Sequence, residues 1–207
     1  MENKAIKEAA NNIYNSAFLQ YGDDSRSVLW GDQQRQYTRF NELIQYVDLN
    51  DSSKELLEVG CGTADLYNYL KFHGYRGQYK GYDINENLLN IAKRKNENID
   101  VELFDIIEQK SEKRYDYVLM SGVFNSNMGQ DINWVREFVM QMFGMCRNHI
   151  AFNALSSAVN YKHDSMFYLD PSEMLKFCIA ELSKRVTILH HNLPYNYTVV
   201  VFKDEDF

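Results

Sequence analysis

The sequence predicts an α/β protein: a mostly parallel sheet of seven strands, with helices on both faces and an antiparallel last strand. Three observations lead there. Short apolar runs alternate with amphipathic stretches through most of the 207 residues, the pattern of strands joined by crossover helices. Three of the runs close on an acid, at Glu58, Asp83 and Asp105. The last two β-rich runs, 185–191 and 197–203, are joined only by 192–196, too short a link for a crossover, so the chain must turn back on itself.

Taken in order, Ile6, Ala9, Ile13, Ala17 and Leu19 place a leading helix over 3–20, suited to cap a ligand. A short helix over 40–47 precedes the strand ending at Val59. A helix over 65–72, a strand over 78–83 and a helix over 85–95 follow, then strands at 101–105 and 115–121. Ile132, Val135, Phe138, Val139, Met142 and Phe143 recur at helical spacing, so 131–146 should pack a helix on the sheet. A fifth strand spans 148–155 and a long loop 156–169. Asp170-Pro171-Ser172-Glu173 then reads as a cap, a proline at the first helical position and a returning Glu, starting a helix to about 183.

Length and composition fit one domain over 1–207, divided into a helical cap at 1–50 and a core at 51–207. The N-terminus lacks a signal-peptide pattern, and no apolar run is long enough for a membrane span. Cys61, Cys146 and Cys178 are few and scattered, which suggests a reducing, cytoplasmic setting and no metal site. A net charge of −7 with no basic stripe argues against nucleic acid, whose binding draws on Lys and Arg. Lys93-Arg94-Lys95 sits where cations complement a helix end.

The chemistry is concentrated in Glu58-Val59-Gly60-Cys61-Gly62-Thr63-Ala64-Asp65. Gly60 and Gly62 allow a sharp turn and a close backbone approach to a ligand at the carboxyl end of a strand. A dinucleotide fingerprint would carry a third glycine at position 65, where this chain has Asp65. That carboxylate suits a helix N-terminus and repels a pyrophosphate. A cationic nucleoside without phosphate, such as S-adenosylmethionine, escapes the conflict. Asp83, at the end of the second strand, has the position and spacing of an acid that takes ribose hydroxyls, a reading preferred to the blander one of a cap for the helix that follows. Asp105, with the backbone beside Ile106, can hold an adenine amino group.

In these residues the chain resembles the class I S-adenosylmethionine-dependent methyltransferases, whose sheet is Rossmann-like. The stretch 58–64 is similar to that family's first motif, with Ala64 where many members have glycine; Asp83 corresponds to the ribose acid and Asp105 to the acid beside adenine. Residues 115–121 match the fourth strand, and Ser121-Gly122-Val123-Phe124-Asn125 the loop facing cofactor and substrate. The resemblance covers about 40–203 and implies cofactor contacts by Glu58, Gly60, Cys61, Gly62, Asp83, Ile84, Asp105, Ile106 and Ser121, Cys61 serving as a small residue and not a nucleophile. Arg39 can pair with the methionine carboxylate, and Trp30 can pack on the cationic end.

The acceptor side is less defined. Asn125 and Asn153 end or follow central strands at the ligand edge, where an amide orients an acceptor or ties down a loop. His163 falls in the long loop at that edge and is a candidate base, beside His149, His190 and His191; of the last two, one should point inward. Asn192-Leu193-Pro194-Tyr195 imitates an adenine-methyltransferase loop but stands between the sixth and seventh strands, so it reads as a turn. The expectation is methyl transfer to a small-molecule or sugar-like acceptor at oxygen. The rivals are a non-catalytic S-adenosylmethionine-binding partner and a nicotinamide-dependent oxidoreductase.

Overall fold

The computed structural model describes residues 3–22 and 32–204. The described residues form eight strands, β1 (Glu55–Val59), β2 (Gln78–Asp83), β3 (Val101–Leu103), β4 (Tyr115–Met120), β5 (Cys146–Ser156), β6 (Tyr168–Leu169), β7 (Val186–Leu189) and β8 (Asn196–Phe202). Seven of them form a continuous sheet in the order β3-β2-β1-β4-β5-β8-β7. β1 to β5 pair in parallel, and β8 lies antiparallel between β5 and β7, as the short 192–196 link requires.

The helices are α1 (Asn3–Tyr21), α2 (Gln33–Leu43), α3 (Asp65–Phe72), α4 (Glu86–Lys95), α5 (Ile132–Gly144) and α6 (Pro171–Glu181). Side chains along the central strands alternate between two cores. Val118, Met120, Ile150 and Phe152 pack with Val135, Val139 and Met142 of α5 and Met174 and Cys178 of α6. Tyr117, Leu119 and Ala151 point the other way, onto Phe40 and Leu43 of α2 and Leu66 and Leu70 of α3. Each such buried side chain contributes about 1.5–3 kcal/mol, so the C-terminal edge of the sheet is a rigid platform.

Several expectations are corrected. The second helix spans Gln33–Leu43 and not 40–47. Asp32 caps it, accepting from the Gln34 and Arg35 N–H groups; its first turns are polar and carry no apolar rhythm to read. The loop over 156–169 ends in a two-residue strand, β6, which pairs in parallel with the end of β5. Leu19 is 86% exposed, since the buried face of α1 runs through Ile6, Ala10 and Ala17. Asp170 does cap α6, but Glu173 pairs with Lys176 at 2.9 Å instead of returning to the cap. β7 ends at Leu189, so strand alternation does not reach His190 and His191, and both are exposed.

Candidate functional site

The β1–α3 turn is set by local backbone chemistry. Gly60 has φ +72° and Gly62 φ +53°, a region that L side chains enter at a cost of about 1–2 kcal/mol. A Cβ on Gly60 would also stand 2.3 Å from Cγ2 of Val123. The Tyr82 carbonyl accepts from both Gly60 N–H (2.8 Å) and Cys61 N–H (3.0 Å), lashing the turn to β2. One residue on, Asp83 takes the Gly62 N–H on Oδ2 at 2.7 Å and the Asn85 N–H on Oδ1 at 2.8 Å. Asn85, and not Asp83, caps α4 by accepting from the Leu88 N–H. Ala64 completes the turn in the left-handed region at φ +64°.

Above this turn opens a cavity of about 610 Å3, a size typical of small-molecule sites. Of the residues expected at a cofactor, Arg39, Glu58, Gly60, Cys61, Asp83, Ile84, Asp105, Ile106 and Ser121 line it. Gly62 is not in the lining; it contributes through its N–H to Asp83. Trp30 lies outside the described residues. Of the acceptor-side candidates, Asn125 lines the cavity and His163 does not; the exposed His163 ring pairs with the Ser165 hydroxyl at 2.8 Å.

The remaining candidates resolve into structural duties. Asn153 is buried, accepts the Gly122 N–H at 3.0 Å and donates to Ser121 Oγ at 3.2 Å, so its amide ties down the β4 loop. His149 sits among the Tyr46, Tyr117 and Phe202 rings on the α2 side of the sheet, and burial lowers its pKa to about 4. Asn192 donates to Glu42 at 2.9 Å, in keeping with a turn.

Charge defines the character of the cavity. Glu58, Asp65, Asp83 and Asp105 all line it. Burial holds the Glu58 carboxyl well above the usual range; the Tyr79 hydroxyl, donating at 2.5 Å, opposes this, and the charges of Asp65 and Asp83 add to it. Asp83 is also raised by burial, against the pull of its backbone donors. A cationic ligand relieves this crowding of acids, whereas a pyrophosphate would add to it. On the α2 wall, burial and neighbouring Arg35 bring Arg39 down to about 10, with Glu42 and Asp32 acting the other way. The residues present thus fit a nucleoside that carries an ammonium and a sulfonium: acids along the floor, a guanidinium on the wall and a turn without side chains in the way.

The sequence reading expected the leading helix to cap a ligand but put none of its residues among the ligand contacts; α1 roofs the cavity through Asn3, Ile6, Lys7, Ala10, Asn11 and Tyr14. Asn3 Nδ2 donates to Asp105 Oδ2 at 3.1 Å, and Lys7 reaches the same oxygen at 3.3 Å. Trp134 Nε1 donates to Asn3 Oδ1 at 2.9 Å. Tyr14 is hydrogen-bonded to Ser126, and burial together with the Asp83 charge pushes its phenol up to about 12. A signal was present: Asn3, Lys7, Asn11 and Tyr14 recur at helical spacing, forming a polar stripe beside the apolar one.

The methyltransferase-domain family matches residues 30–127, which include the glycine turn and the strand-end acids. With this strand order and this site, the chain carries a class I S-adenosylmethionine-dependent methyltransferase domain. It is similar to Rv1506c of Mycobacterium tuberculosis, a protein named as a methyltransferase without a stated acceptor, at 28% identity over 155 residues, 70% of this chain and 91% of that one. Among solved structures it is similar to magnesium protoporphyrin IX methyltransferase of Synechocystis PCC 6803 with bound S-adenosylhomocysteine, with TM-score 0.72, 13% identity and coverage of 96% of this chain and 100% of that one. The N-methyltransferase NodS of Bradyrhizobium japonicum WM9, in complex with S-adenosylhomocysteine, superposes with TM-score 0.66 at 14% identity, covering 94% of this chain and 100% of its own.

Proposed function

We propose that the protein transfers a methyl group from S-adenosylmethionine to a hydroxyl oxygen of a small-molecule, sugar-like acceptor, as one domain whose N-terminal helices cap a Rossmann-like core. The observation that carries the reading is the Asp83 carboxylate. It fastens the glycine turn with one face and lines the cavity with the other. An ionised carboxylate has about four acceptor positions, so accepting capacity remains on Asp83 for the ribose after its three backbone donors, Gly62, Asn85 and Ile84. Asp105 and the backbone at Ile106 take the adenine end, Glu58 and Asp65 the ammonium, and Arg39 the carboxylate of the methionine portion. Ile84, Cys61 and Ser121 shape the walls.

Bound S-adenosylmethionine supplies an electrophilic methyl on a sulfonium, the donor for in-line transfer to an acceptor oxygen. The chain's residues then have to align the partners and exclude water. α1 serves the second purpose as a roof, and Asn125 and the Tyr14–Ser126 pair present polar groups from the β4 loop and the roof to the acceptor. Tyr14, with its proton held to about 12, acts at neutral pH as a hydroxyl and not as a base. Small-molecule chemistry is supported by the Synechocystis enzyme, named for magnesium protoporphyrin IX, and by a net charge of −7, ill-suited to polyanions.

Calorimetric titration with S-adenosylhomocysteine tests the site. Asp83→Asn keeps the side-chain shape and removes the charge, and it should weaken binding by about 1.5–3 kcal/mol, the range for hydrogen bonds to a charged group. Unchanged affinity would confine Asp83 to its work on the turn, and tight NAD binding without S-adenosylhomocysteine binding would refute the cofactor assignment.

A further inference from the structure

A second concavity, of about 840 Å3, lies between α2 and α3 and was not anticipated from the sequence. Its two chemistries are distinct. One is a row of rings in contact: Tyr37 with Tyr69 (5.2 Å between centroids), Tyr69 with His73 (4.3 Å) and His73 with Phe72 (5.3 Å). Phe72 ends this row 86% exposed. A lone exposed ring is ordinary on a protein surface, but a ring row bordering a concavity offers a broad apolar face. The other chemistry is a set of carboxamides, with Gln34, Asn41 and Asn68 exposed to solvent and Asn192 held from below by Glu42.

The groove adjoins the cofactor cavity. Gln36 and Asp65 line both spaces, and Gln36 Nε2 donates to Asp65 Oδ2 at 3.3 Å, so one side-chain pair forms the wall between them. The groove and the cavity are therefore neighbours, parted at this point by one hydrogen-bonded side-chain pair.

We propose that this groove seats the body of the acceptor, and that the body is a neutral sugar. A hexose shows C–H faces, which pack on aromatic rings, and a rim of hydroxyls that both donate and accept. A carboxamide also donates and accepts, so rings beside amides meet both surfaces of one sugar. The carboxylate and the ammonium that line the groove, Asp65 and Lys95, are opposite in sign and together favour neither an anion nor a cation, and a purely apolar ligand would leave the amides without partners. The assignment rests on the acceptor reading above, and it adds where the acceptor sits and what its body is.

The test uses the full chain saturated with S-adenosylhomocysteine, with methyl β-D-glucopyranoside and maltotriose as probes in saturation-transfer NMR. Both sugars should receive saturation at millimolar concentration. Phe72→Ala and Asn68→Ala, both at exposed positions, should each weaken maltotriose about five-fold, the size of effect expected on losing one good contact, with S-adenosylhomocysteine affinity unchanged. No transfer to either sugar, or transfer untouched by both substitutions, overturns the groove assignment and leaves the methyltransferase reading standing. Failure of the wild-type chain to bind S-adenosylhomocysteine takes down both.

Discussion

The floor and the roof of the cofactor cavity are held by different forces. The floor is the edge of β1, β2 and β4, whose strands are buried on both faces between α5 and α6 on one side and α2 and α3 on the other. The roof, α1, has only a small apolar cluster of its own, in which Ile6 and Ala10 meet Met128. Polar ties do the rest: Asn3 and Lys7 to Asp105, Tyr14 to Ser126, and Asn15 accepting from Asn85 and Asn87, each at 3.0 Å. Apolar burial fixes a platform whatever the ligand, whereas hydrogen bonds exchange readily with those of water and yield little net stability. The element that roofs the cavity is thus held more by polar ties than the platform beneath it.

The sharpest blow to the floor is Gly60→Ala. A positive φ and a Cβ set against Val123 combine backbone strain with overpacking, and urea unfolding should show a loss of roughly 3 kcal/mol. A loss below 1 kcal/mol would mean the turn can be rebuilt without its glycine.

Acid should attack the same platform through His149. Burial depresses the pKa of this histidine to about 4 in the folded chain, so between about pH 6.5 and 4 the unfolded state takes up the proton and the folded state does not. Stability therefore falls as pH drops through that window, by roughly 3 kcal/mol in all. His149→Phe should flatten this part of the stability profile; an unchanged acid slope would assign it to the carboxylates instead.

A smaller effect of opposite sign is expected at Ala64, the non-glycine residue at φ +64° in the turn. Ala64→Gly should raise stability by about 1 kcal/mol, relief of left-handed strain outweighing the added freedom of the unfolded chain. A lower midpoint in the same urea titration would contradict this.

The weakest expected change tests the roof. Asn3→Ala removes ties to Asp105 and Trp134 and should alter global stability by no more than about 1 kcal/mol. Hydrogen exchange should nevertheless quicken along α1 and stay unaltered in β1, β4 and β5. Uniform change across both regions would show that roof and floor open as one unit.

Most of the floor was legible in the sequence. Gly60, Gly62, Asp83 and Asp105 announce themselves because a strand end, a tight turn and a helix start leave local marks in residue type and spacing. α2 was misplaced because its opening turns are polar throughout and its start depends on one cap, Asp32. The histidines were misjudged for another reason: whether an imidazole is buried depends on what packs over it, and Tyr46 and Phe202 come from distant parts of the chain.

What the sequence determined by itself, then, is the alternating sheet with its returned last strand and the glycine turn at the cavity, since backbone sterics and hydrophobic period act over a few residues. Tertiary structure alone decided that Asn3 meets Asp105, 102 positions away, that Asn153 serves the β4 loop while Asn125 lines the cavity, and that Gln36 and Asp65 divide two pockets. Contacts of that span arise only when the whole sheet closes, and nothing in the local order of residues encodes which distant partner arrives.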